Sequence, residues 1–102
     1  MRIEWSEPAV FDLEGIKEFI GRDSEYYAVE FTSRIIEMIE KLSAFSNLGR
    51  KVPELDDESI REVVFYNYRI IYKLTNESIL ILGIIHAARD LNNMKPHPWE
   101  DS

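Results

Sequence analysis

The chain has 102 residues, which suits one domain with one core, and its 45% hydrophobic and 30% charged content is globular rather than disordered. It contains no cysteine, which excludes a disulfide framework and any thiolate-bound metal. Nineteen acidic residues against twelve Lys and Arg give a net charge of −7, which argues against nonspecific binding to nucleic acid or anionic lipid.

Arg2 to Trp5 alternates apolar and charged residues and predicts a short strand. Ser6 is placed to cap a helix that tolerates Pro8 in its first turn. Val10, Leu13, Ile16 and Ile20, with Phe19 beside them, keep helical spacing, and Gly21 is expected as a left-handed stop. Gly15 inside this helix costs about 1 kcal/mol relative to alanine. Asp23 or Ser24 opens a second helix with Ala28, Phe31, Ile35, Met38 and Leu42 on one stripe. Its other face carries Glu30–Arg34 and Glu37–Lys41 at i,i+4 spacing, and Asn47 and Gly49 are expected to end it. The short link between the helices predicts an antiparallel helical hairpin.

Arg50 to Glu58 reads as a loop, after which the period changes. Ile60–Phe65, Tyr68–Leu74 and Ser78–Ile85 are rich in β-branched and aromatic residues and are separated by short turns, which predicts an antiparallel meander. In the middle strand Tyr68, Ile70, Tyr72 and Leu74 share one face, and Arg69, Ile71 and Lys73 the other. One face of the sheet is therefore expected against the helices, and the other is expected to carry the basic side chains. Residues 91–102, rich in Asn, Pro and acids, read as a tail of a single domain spanning 1–102. The longest apolar run, Ile79 to Ile85, is far short of the ~20 residues of a membrane helix. Met1 is not followed by a signal-peptide segment, so a soluble cytoplasmic protein is expected.

Ten acids and five bases fall in residues 1–48, whereas residues 59–95 hold three acids and five bases, so chemistry on an anionic partner belongs in the back half. His86 and Arg89 follow the last strand. Set beside Arg61 and Arg69, they would combine an imidazole for proton transfer with guanidiniums for a pentavalent phosphate, as RNA cleavage requires. An exposed strand-end histidine beside a solvated Arg–Asp turn is the competing reading. No metal is expected: His86 and His97 are the only histidines, and Asp56-Asp57-Glu58 reads as a solvated acidic loop. The scattered glycines form no phosphate-cradling loop, no serine lies in a nucleophile-elbow context, and no cofactor is expected.

Arg61-Glu62, then Asn67-Tyr68-Arg69-Ile70-Ile71-Tyr72, then Ile85-His86-Ala87-Ala88-Arg89-Asp90 resemble the ParE/RelE superfamily of toxins from bacterial and archaeal toxin–antitoxin systems. The resemblance covers nearly the whole chain, including a Gly49-Arg50 loop. It implies an α+β fold in which an N-terminal strand and a helical hairpin pack on a twisted antiparallel sheet. RelE-like members cut mRNA on the ribosome with basic side chains plus a Tyr or His near the end of the last strand; ParE-like members poison DNA gyrase, arrest growth and stabilise plasmids. Arg61 and Arg69 match basic positions of the nuclease branch, but Ala87 and Ala88 fall where its catalytic groups belong and do no acid–base work. The net charge of −7 also opposes docking into ribosomal RNA. A gyrase-directed toxin is therefore expected ahead of a nuclease, with a non-toxic binding module of the same fold as a third reading. The expected partner is a cognate antitoxin whose partly helical segment wraps the toxin in a hetero-oligomer. Arg61, Arg69, Lys73, Arg89 and Trp99 are the expected contacts, with Glu62 or an antitoxin acid facing the arginines. Trp99 is expected to dock the tail on its own domain or on a partner.

Overall fold

A computed structural model describes residues 1–88 and Pro98. The elements are β1 (Arg2–Trp5), α1 (Glu7–Gly21), α2 (Glu25–Lys41), β2 (Arg50–Lys51), β3 (Ile60–Phe65), β4 (Tyr68–Leu74) and β5 (Ser78–His86). Arg89 and the tail apart from Pro98, including Trp99, lie outside the described residues.

Both helices begin where the sequence places their caps. Ser6 Oγ accepts from the Ala9 N–H at 3.2 Å, and Ser24 Oγ accepts from the Tyr27 N–H at 3.1 Å. The face of α1 that meets the sheet is Ala9, Leu13, Ile16 and Ile20, whereas Val10 and Phe19, expected inside, are 42% and 64% exposed. The helix is rotated by two polar anchors. Ser6 Oγ donates to the Leu82 carbonyl at 3.2 Å, and Asp12 accepts from the Ile84 N–H at 2.9 Å, so the Ala9–Asp12–Ile16 side must face β5. Gly21 is the last helical residue and not a left-handed stop. The chain turns through Arg22, whose φ is −61°, and the Asp23 and Ser24 N–H groups both bond the Ile20 carbonyl. Helix α2 keeps its expected stripe but ends at Lys41, before Asn47, because Ser43 is drawn to the N-terminus. Its hydroxyl donates to the Met1 carbonyl at 2.7 Å, and its carbonyl accepts from the Met1 amine at 2.8 Å.

The sheet runs β1-β5-β4-β3-β2. Strands β3, β4 and β5 form the expected antiparallel meander, and β1 lies parallel to β5, so the sheet is mixed. The stretch expected as a loop from Arg50 opens with β2, which pairs with Glu62 and Arg61 of β3. A bulge places Leu82 opposite no residue of β4. It lets Ile81 and Ile84 face the helices while Leu82 and Ile85 face the other way.

The main core lies between helices and sheet, around Ile35, Ile39, Leu42, Ile70, Tyr72, Ile79 and Ile81. The opposite face carries Arg69 and Lys73, as expected, but it is also covered. Residues 52–58 cross it as a strap whose Val52 and Leu55 pack on Ile60, Ile71, Leu82 and Ile85 in a second cluster. Burying that apolar strip outweighs leaving it wet under scattered cations.

Candidate functional site

Arg69 lies on the strap side of β4, between two residues that face the helices, and is 6% exposed. Its Nε donates to Glu62 Oε1 at 2.6 Å. Its two terminal nitrogens form a fork on Glu54, Nη1 to Oε2 at 2.8 Å and Nη2 to Oε1 at 2.7 Å. Glu62, in β3, turns its second oxygen to Arg50, which reaches Oε2 through Nε at 2.8 Å and Nη2 at 2.7 Å. The expected Arg69–Glu62 contact is therefore present, and it is joined by two residues not singled out as site candidates, Arg50 and Glu54. The Glu54 hydrogen bonds hold the Arg69 guanidinium well above its ordinary pKa, against the opposing effect of burial, and the nearby Glu62 carboxylate adds to this. Arg69 is thus a fixed cation with no proton to exchange.

An open groove of about 490 Å³ is lined by Arg50, Pro53, Glu54, Val64, Arg69, Ala87 and Ala88. Gly49 sets Arg50 in place. Its N–H bonds the buried Tyr72 hydroxyl at 3.0 Å, and that hydroxyl donates to the Ser46 carbonyl at 3.0 Å. A Cβ at Gly49 would stand 2.5 Å from both the Glu62 carbonyl oxygen and Tyr72 Oη, so only glycine fits.

Of the remaining candidates that are described, Arg61, His86 and Lys73 do not line this groove. Arg61 pairs in register with Tyr72 and sits on the helix side. There it donates to the carbonyl of Glu58, at the end of the strap, at 3.2 Å and to that of Gly49, ahead of β2, at 3.1 Å. His86 is opposite Tyr68, also on the helix side, with its ring edge-on at 5.8 Å and Nδ1 accepting from the Ala88 N–H at 3.2 Å. Arg61 and His86 are thus across the sheet from Arg69, and the expected cluster of imidazole and guanidiniums is not formed. Lys73 shares the strap side with Arg69 and helps hold the Asp57 carboxyl below its usual range, after the dominant hydrogen bonds from Ser59. Among the described residues, no group of three or more His, Asp or Glu is placed to hold a metal ion.

On the other side of the molecule, a groove of about 500 Å³ runs between α1 and α2, with Gly21, Ala28 and Val29 along it and Lys17, Arg22 and Glu25 at its rim. Phe11, Phe19 and Tyr26 of the same helices are 76%, 64% and 80% exposed, far more aromatic surface than a self-contained helix pair requires.

The family model described as the ParE toxin of the type II toxin–antitoxin system parDE matches residues 3–91. The chain belongs to the ParE toxin family. It is also similar in fold to a chain of the chromosomal ParDE TA system from P. aeruginosa. The two share 20% identity at a TM-score of 0.71, over 84% of this chain and 95% of that one. No curated protein matches the sequence. In this ParE-family chain Arg50 and Arg69 are both bound to carboxylates. The Arg69–Glu62 pair was legible from the hairpin: with a two-residue turn at Tyr66-Asn67, the two residues lie on one face, diagonal across β3 and β4. Glu54 carried no such signal, because it belongs to an irregular strap.

Proposed function

We propose that this ParE-family chain is the toxin of a type II pair, that it acts on DNA gyrase, and that a cognate antitoxin neutralises it in a cytoplasmic hetero-oligomer. The observation that carries this reading is the state of Arg69. Glu62, fixed on β3 and bonded to its Nε, sets a buried carboxylate beside any phosphate that approaches this guanidinium, and among the described residues lining the groove Ala87 and Ala88 do not transfer protons. Arg61 and His86 lie across the sheet and supply neither missing role. A partly helical antitoxin segment suits the groove between α1 and α2, whose small apolar floor of Gly21, Ala28 and Val29 lies between charged rims, on helices that also expose Phe11, Phe19 and Tyr26.

Regulated expression with and without the adjacent antitoxin gene tests toxicity first. A toxin arrests growth only when the antitoxin is absent, whereas a protein harmless under both conditions is a binding module of the same fold. Purified protein is then assayed for gyrase supercoiling and cleavage complexes, and in parallel for ribosome-dependent mRNA cleavage. Gyrase poisoning without mRNA cleavage is expected. Robust mRNA cleavage that disappears in Arg69→Ala would restore the nuclease reading.

A further inference from the structure

Two carboxylates serve Arg69, and they are built differently. Glu62 is part of β3, its side chain is 0% exposed, and it holds Arg69 and Arg50 together from behind. Glu54 is in the strap, next to an exposed Pro53, and its side chain keeps 16% of its surface open to the groove. Its bond to Arg69 is the parallel two-point contact by which a guanidinium recognises any carboxylate. The charge also fits a monoanion. Two guanidiniums around one built-in carboxylate leave a single positive charge, which Glu54 neutralises. A phosphate, with up to two negative charges at neutral pH, would face Glu62 with an excess. Arg50, 64% exposed and bound to Glu62 through one edge, keeps further N–H donors for a ligand in the same groove.

We propose that Arg69 and Arg50 form a carboxylate-binding site, that Glu54 fills it as an internal ligand in the free protein, and that a carboxylate from outside takes the same place when Glu54 withdraws. The external group is an Asp or Glu side chain of a partner protein or a free small carboxylate; both present the same planar pair of oxygens. The strap carries the internal ligand between Val52 and Leu55, which pack in the second cluster, so Glu54 can turn away while the strap keeps its anchors. This inference rests on reading the groove as non-catalytic. Cleavage of mRNA by the wild type would overturn that reading without changing the thermal measurement below.

The test is Glu54→Ala in the full chain, followed by thermal melting in sodium acetate, sodium phosphate or sodium chloride at matched ionic strength. Glu54→Ala is expected to melt lower than wild type. Acetate is expected to recover at least half of the lost Tm with saturation, phosphate less than acetate, and chloride none. Wild type, its site filled, shows no difference between the salts. A blocked Ala-Glu-Ala peptide separates the sources: action at lower concentration than acetate indicates a protein side chain, and equal action indicates a free carboxylate. Equal Tm in acetate and chloride overturns the proposal, and a larger effect of phosphate overturns the carboxylate assignment. Should Glu54→Ala fail to fold, refolding yield in the same salts becomes the readout, and failure of acetate to raise it counts against the site.

Discussion

Replacing Glu62 with alanine tests the desolvated ion network at its centre. The side chain is fully buried, so the change removes a charge-assisted hydrogen bond to Arg69 of about 1.5–3 kcal/mol, and the packing of its methylenes adds about 1 kcal/mol. The Arg50 contact, largely in solvent, adds about 0–1 kcal/mol. Arg69 keeps Glu54 and is not stranded, so the total should lie near the low end of the penalty for breaking a buried pair, about 3 kcal/mol. For a domain of this size that lowers Tm by about 12–24 °C. Glu62→Gln, which keeps the volume and one acceptor, should lose roughly half as much. The control is Glu30→Ala on α2, where an i,i+4 bond to Arg34 at 2.9 Å is exposed and screened by solvent, so its loss should be much the smaller. Urea unfolding gives all three values from the midpoint shift at constant slope. A Glu62→Ala loss no larger than that of Glu30→Ala would refute the reasoning, because it would mean the pair is solvated like a surface contact.

Gly49→Ala should destabilise by about 1–3 kcal/mol, since the new methyl meets a backbone carbonyl that has no room to move; thermal melting reads it. Gly15→Ala should act oppositely, gaining about 1 kcal/mol and roughly 4–8 °C in Tm, because the site is exposed and helical and an added methyl meets nothing within 4 Å. Tyr72 makes stability pH-dependent at the alkaline end. Burial raises its pKa above the ordinary 10.0, so its contribution is intact below about pH 10 and is lost as pH rises through the folded-state value. Denaturation from neutral pH to about pH 11 should show that decline, and Tyr72→Phe should flatten it while costing about 1–3 kcal/mol at neutral pH by orphaning the Gly49 N–H and the Ser46 carbonyl.

What the sequence revealed about the fold was mainly what local periodicity encodes. The α2 stripe, the Ser6 and Ser24 caps and the three meander strands depend on neighbours within a few residues, and they stand as read. The rotation of α1 was not legible, because it depends on Asp12 and Ser6 finding backbone groups of β5 more than seventy residues away. Without those anchors Val10 and Phe19 look as inward as Ile16. The parallel place of β1 and the two residues of β2 also lack a local signature, since pairing direction is settled by which sheet edge is free. At the candidate site, Arg69 stood out as a charge inside an apolar strand, and hairpin register leads from it to Glu62. Arg61 shows the limit of the same reasoning: matched to a basic family position, it turns to the other face and ties down the strap.

The place of β1 beside β5 governs the order in which this protein becomes itself. Arg2 finds Ser78, and Ser6 finds Leu82, so β1 and the cap of α1 complete their hydrogen bonds only with a strand made more than seventy residues later. Until then β1 has no neighbour and α1 lacks both of its sheet anchors. Contacts spanning most of the chain must overcome the full loop-closure entropy before they return anything, which slows folding relative to a helical protein of equal length. A ribosome partway through the message therefore carries helices and unpaired strands, and the finished surface arises in one late event, when the two ends of the domain meet.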